Sequence, residues 1–188
     1  VKAVPSLDPW LAGADDRAAQ LAQLIGDRNF RLAQVGAWET LATWNPDATG
    51  WDPDVMLAWL TTAAATWASD FEETTTAAVE EALADDGWEE TAAAALAGWA
   101  TTAALYSQTI ATEARSFGGQ DAAHASGLGL KVWRTGGTSP RPSHRAQNGE
   151  RTPIDDVFSN GLRWPGDRSG RTEETANCKC RLDYEREE

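Results

Sequence analysis

The chain has 188 residues, 10 of them Trp and only 2 of them Cys, with a net charge of -13. That length suffices for one domain with a full core, or for a helical region beside a small domain. No apolar run approaches the ~20 residues of a membrane-spanning helix, and no charged-then-apolar signal segment opens the chain, so a soluble protein without an export signal is expected. Two cysteines are too few for a disulfide-stapled secreted domain and fit a reducing compartment. The opening residue is Val1 rather than Met, which reads as a processed or trimmed part of a longer product.

The charge is not spread evenly. Residues 1–120 hold 5 Lys and Arg against 18 Asp and Glu, whereas residues 121–188 hold 11 of each. The reading is therefore of two parts, an acidic helical region over 1–119 and a neutral module over 120–188. An acidic surface repels phosphate, so the first part is not expected to wrap DNA but can dock on a basic protein surface.

Between residues 15 and 44, Leu21, Leu24, Ile25, Leu32, Val35, Trp38 and Leu41 recur at spacings of three, four and seven, which predicts an amphipathic helix with a break near Gly26. Asn45 to Gly50 is turn chemistry. Asp52-Pro53 then gives an N-cap followed by Pro at the first helical position. The second predicted helix carries Met56, Trp59, Leu60, Ala63, Trp67 and Phe71 on one stripe and ends near Asp85-Asp86-Gly87, with Thr74-Thr75-Thr76 as a weak point. A third runs from Trp88 to Phe117, with Ala92, Leu96, Trp99, Ala103, Ile110, Ala114 and Phe117 inward, and is expected to stop at Gly118-Gly119. Three long helices with short turns predict an antiparallel bundle in which Trp38, Trp59, Trp67 and Trp99 fill the gaps left by Ala. A Trp left on an outer face would instead point to a protein interface.

After a further helical turn or two from Gln120 to Ser126, the character changes. Leu128 to Arg134 alternates as a strand does, and residues 135–176 are rich in Gly, Pro, Arg, Asp and Thr. A stretch so dominated by loops cannot stabilise itself by burial alone and needs a staple, a metal or support from the helices. A last strand, Cys178 to Tyr184, is expected to pair with the strand around Trp133. The fold class is thus α+β, a helical region followed by a loop-rich domain with a short antiparallel sheet.

The chemistry concentrates at Asn177-Cys178-Lys179-Cys180. In a strand, Cys178 and Cys180 would share one face about 7 Å apart at the Cα, poorly placed for a disulfide but able to ligate one ion. With His144 they form a candidate metal site, for which Zn²⁺ is the ion best suited to thiolate and imidazole, with Asp155, Asp156 or His124 as the fourth ligand. Two other readings stay open: both thiols as small buried groups with His144 bonded to a carbonyl, and a Cys/His nucleophile oriented by Asp155. No oxyanion loop accompanies the pair, and the reading is of a non-catalytic protein. The pairs Glu72-Glu73, Glu80-Glu81 and Glu89-Glu90 read as solvated helix faces, and His124 as a helix-end residue. Arg141, Arg145, Arg151, Arg163, Arg168 and Arg171 are expected to pair with Asp155, Asp156, Asp167, Glu173 and Glu174 rather than with phosphate.

An ordered set of short motifs extends the argument: Lys131-Val132-Trp133, Arg141-Pro142-Ser143-His144, Asn148-Gly149, Phe158 to Gly161, Pro165-Gly166-Asp167 and Asn177-Cys178-Lys179-Cys180. This series resembles the C-terminal part of the phage Mu F-like minor head proteins, the phage head morphogenesis domain, in which the last motif is Asn-Cys-Arg-Cys. Lys179 is the one departure. The match covers residues 110–184, with Thr112-Glu113-Ala114-Arg115 resembling the family's Thr-Glu helix. The resemblance implies a minor capsid protein of a tailed phage or prophage, located in the virion head near the portal. Its implied partners are the portal protein or the major capsid protein, and its implied roles include DNA packaging or ejection. Alternatives from other classes are a DNA-binding factor inside the head, touching packaged DNA through the Arg-rich segment, and a module associated with an enzyme or toxin.

Overall fold

A computed structural model describes Ser6, residues 8–84 and residues 87–187, apart from the side chains at positions 96, 99, 100 and 102. The elements in order are α1 (Asp8–Ala12), α2 (Ala14–Trp44), α3 (Pro53–Leu83), α4 (Trp88–Ala125), β1 (Leu130–Arg134), α5 (Pro142–Ala146), β2 (Arg151–Pro153), α6 (Thr172–Thr175) and β3 (Arg181–Glu185). The fold is α+β, with long helices followed by an antiparallel sheet of order β2-β1-β3. No described helix is long and apolar enough to cross a membrane.

The chain forms two compact units. One comprises residues 1–27 and 59–104, the other residues 28–58 and 105–188. In the first, Leu60, Ala64, Trp67, Ala68 and Ala82 are buried, Gly26 packs on Ala64, and Arg17 pairs with Glu72 while lying over the Trp10 ring at 3.9 Å. Gly26 therefore serves a helix contact instead of breaking α2. Thr75 is buried as well, so tertiary packing holds the Thr run in α3 despite its weak propensity. Leu96, Trp99 and the Asp85-Asp86 pair, assigned above to a stripe and a helix end, lie outside the described residues.

In the second unit the helix contact is set by backbone. A Cβ on Gly36 would come within 2.0 Å of the Arg115 carbonyl oxygen, and one on Gly118 within 2.0 Å of that of Ala33. Such an approach is open only to glycine, and it corrects two expectations. Gly118-Gly119 does not stop the third helix; α4 runs through both to Ala125 because the missing side chain is needed for contact with α2. The buried positions of α2 are the small or polar Asn29, Ala33, Gly36, Ala37 and Thr40 together with Leu41, while Val35 and Trp38 are exposed; Leu24, in the first unit, is exposed as well. Close backbone contact favours a stripe of small residues, so the large side chains turn outward. Trp38 accordingly leaves the expected core and stacks edge-on against Trp51 at 5.5 Å, with half its surface exposed.

The strand around Trp133 pairs with the C-terminal one as expected, Trp133 opposite Leu182 and Lys131 opposite Tyr184. The last strand begins at Arg181, however, so both cysteines lie in the segment before it. Thr112 donates to the Cys178 carbonyl at 2.6 Å and the Cys178 N–H bonds Thr175, which commits this backbone to α4 and α6 rather than to a strand ladder. β2, which the sequence did not signal, pairs with β1 on the other side.

The glycine crossing yields a prediction of opposite signs. Gly118→Ala should destabilise the protein by roughly 1–3 kcal/mol because the neighbouring atom is backbone and cannot yield. Gly98→Ala, at an exposed helical position with open space around its Cβ, should stabilise by about 0.5–1 kcal/mol. Urea unfolding of both variants measures the difference.

Candidate metal centre

His144 sits in α5, started by Pro142 at the first helical positions, and its carbonyl accepts a hydrogen bond from Thr135 at 2.6 Å. The imidazole is buried, edge-on to Trp133 at 5.1 Å, and Trp133 in turn meets Phe158 at 5.1 Å. Trp133, Phe158, Leu162, Cys178 and Cys180 form one hydrophobic cluster. The cysteines reach it because Asn177 adopts a left-handed backbone, φ 53°, a conformation that Asn tolerates better than most residues.

The three predicted ligands come together. His144 Nδ1 lies 3.3 Å from Cys180 Sγ and 3.8 Å from Cys178 Sγ, and the three donor atoms lie within 4.8 Å of one another, all buried. Both cysteines are free thiols. Among the described residues this is the one group of three or more His, Cys, Asp or Glu arranged to hold a metal ion. The donor set fits such an ion, with two soft sulfurs and an imidazole nitrogen converging from one side inside an apolar shell.

The other ring nitrogen, Nε2, lies 3.1 Å from Glu174 Oε2, which also accepts from Ser143 Oγ at 3.0 Å. The distance is that of an ion pair, but the ring N–H is not aligned for a hydrogen bond. Glu174 thus stands where an outer carboxylate holds a metal-binding imidazole in other sites. Sequence reasoning placed it among partners for Arg. The only available signal was an acidic residue in the α6 turn close before the Cys pair.

The expected fourth ligands are not drawn in. Asp155 is exposed and pairs with His124 Nε2 at 3.3 Å. Neither belongs to the triad, nor does Asp156, because the turn after β2 points these carboxylates to solvent.

The thiols differ electrostatically. The neighbouring Cys178 thiol, with help from His144 and the Gly136 N–H, holds the Cys180 thiol below its usual range against the effect of burial. The same neighbour and burial push the Cys178 thiol upward, which makes Cys180 the readier thiolate of the two. A cation binding both sulfurs would favour the thiolate form of each.

The arginines are largely engaged. Arg163 makes a forked pair with the buried Asp167, whose N–H contacts include Ser169; burial raises the Asp167 carboxyl, but these bonds together hold it below its usual value. Arg151 pairs with Glu185, Arg171 with Glu173, and Arg141 donates to the Ala176 carbonyl. Buried Lys131 faces the Phe158 ring at 5.3 Å, and burial lowers its ammonium to about 8. Comparison with protein-family models, with characterised proteins and with solved structures finds no match.

Glu113, on α4, is buried and accepts from the Arg168 N–H; burial raises its carboxyl to about 7, over the lowering influence of Arg168. A folded-state value above the ordinary 4.5 favours the protonated folded form. Its contribution is fully present below pH ~4.5 and is lost as pH rises through 7, a change of about 3 kcal/mol. Glu113→Gln should remove most of that slope, so that the variant gains on the parent between pH 5 and pH 8 in urea unfolding midpoints. Parallel pH profiles would contradict the assignment.

Proposed function

We propose that this chain is a minor head protein of a tailed phage or prophage, acting in head morphogenesis at or near the portal, and that its C-terminal part is a structural module closed by Zn²⁺ on His144, Cys178 and Cys180. One observation carries the reading: the motifs that resemble the phage head morphogenesis domain act on one another. Trp133 packs on His144 and Phe158, Arg141 holds the carbonyl of Ala176 just before the Asn-Cys pair, and Asn148 accepts from the Thr135 N–H. Asp167 anchors the Pro-Gly-Asp turn, and Thr112 of the Thr-Glu helix bonds Cys178. Residues scattered from Thr112 to Cys178 thereby share one task, holding the Cys/His centre and the sheet together.

Zinc is favoured because it takes two thiolates and an imidazole in tetrahedral geometry, with the fourth position left to water or a further donor. His144 would bind through Nδ1 with Glu174 behind Nε2; when bound, the ion supplies a cross-link between α5 and the segment before β3. The engagement of most of the Arg set with carboxylates and carbonyls favours protein docking over DNA contact. Half-exposed Trp38, beside exposed Val35 on α2, is the kind of side chain that anchors a protein interface.

Two measurements test the parts separately. For the ion, protein purified without chelator should carry about one Zn²⁺ per chain, and stripping it should cost at least ~2 kcal/mol, or some 5 °C in Tm. Cys178→Ser should lose the ion and become indifferent to chelator; an unchanged Tm with no bound metal would remove zinc from the account. For the role, the whole chain should co-elute in size-exclusion chromatography with the portal protein encoded beside it, and Trp38→Ala should weaken that association about tenfold or more. Elution as a free monomer in the presence of both portal and major capsid protein would overturn the docking reading.

A further inference from the structure

The sheet ends at β3, and the hydrogen-bond pattern fixes what that edge offers. Trp133 donates its N–H to the Glu150 carbonyl, its own carbonyl accepts from the Gly149 N–H, and the Gly129 carbonyl accepts from Ile154, so the odd-numbered residues of β1 face β2. Antiparallel ladders alternate, so the even-numbered residues face β3, and the register assigns them to Arg181, Asp183 and Glu185. The N–H and C=O groups of Leu182 and Tyr184 therefore point away from the sheet. No described residue takes them up.

That edge forms one wall of a cleft of about 1140 Å³ within the second unit, with Gly36 and Thr40 of α2 and Thr112 and Ser116 of α4 among the facing residues. A strand as long as β3 extends about 17 Å, and an edge with free donors and acceptors beside a helical wall is the geometry by which sheets accept an added strand. The charges along the edge are unequal. Arg134 and Arg181 share one carboxylate, Asp183, at 2.6 and 3.6 Å, while Lys179 is exposed and has no carboxylate partner among the described residues. At the other end, Glu185 is matched by Arg151. Positive charge is thus in surplus where β3 begins.

We propose that the β3 edge binds an extended peptide segment of a partner protein as a fourth strand, with carboxylate side chains at the end beside Lys179 and Arg181. Main-chain bonds to Leu182 and Tyr184 supply the affinity, and the surplus cations set the register. The inference stands independently of the phage reading, since it uses only the sheet pattern and the local charge.

The test uses the full chain labelled with ¹⁵N and synthetic hexapeptides alternating valine with small or polar residues and carrying two glutamates at one end. Free protein should show fast amide exchange at Leu182 and Tyr184 and slow exchange at Asp183 and Glu185. Saturating peptide should slow the first pair at least tenfold. Lys179→Glu should weaken binding about tenfold, and N-methylation of alternate peptide residues should abolish it for the register that bonds the edge. Any of these outcomes would overturn the proposal: protection of Leu182 and Tyr184 already present in the free protein, no slowing by any hexapeptide at millimolar concentration, equal binding of both N-methylated registers, or equal binding of peptides carrying lysine in place of glutamate. Protection that rises with protein concentration alone would assign the edge to a second copy of the chain and likewise overturn it.

Discussion

His144 faces the sulfurs of Cys178 and Cys180 through Nδ1 and the carboxylate of Glu174 through Nε2, and this buried ring ties α5 to the segment that leads into β3. Residues 135–177, between β1 and the cysteines, contain only short elements, so few ladder bonds hold them. What closes them is side-chain chemistry: the Trp133, Phe158 and Leu162 cluster around the triad, the Arg163 to Asp167 fork, and the Thr112 bond to the Cys178 carbonyl. An ion on the two sulfurs and the imidazole would join the ends of this stretch by bonds far stronger than any of these contacts. Without one, the centre still packs as a small apolar cluster with His144 edge-on to Trp133.

The helices support that centre through a contact that depends on absence. Gly36 and Gly118 let α2 and α4 meet at backbone distance, which places Thr112, Glu113 and Ser116 on the side of α4 where the C-terminal segment packs. The same closeness turns Trp38 outward. Packing and surface are therefore coupled in this unit: the stripe of small residues that brings the helices together also leaves Val35 and Trp38 of α2 exposed.

The sequence was legible where periodicity or motif order carried the information. Long helices, the turn at Asn45 to Gly50, the pairing of the Trp133 strand with the C-terminal one and the convergence of His144 with both cysteines all follow from spacing and residue type. It misled where a local rule met a tertiary demand. Gly118-Gly119 looked like a helix stop because glycine is a poor helix former, yet a backbone contact outweighs that cost. Leu24, Val35 and Trp38 looked like a core stripe because hydrophobicity was weighed above size. Asp155 and Asp156 looked like ligands by type, but the orientation of a turn decides that, and no sequence spacing encodes it. Glu174 was visible only as one acidic residue among several.

Cobalt substitution tests the metal centre most directly. Co²⁺ added to chelator-treated protein should give the intense visible bands of a tetrahedral ion together with thiolate-to-metal charge transfer, at one ion per chain, and the charge-transfer band should weaken in Cys180→Ser. A weak six-coordinate spectrum without charge transfer would contradict the account and leave His144, Cys178 and Cys180 as packing residues alone.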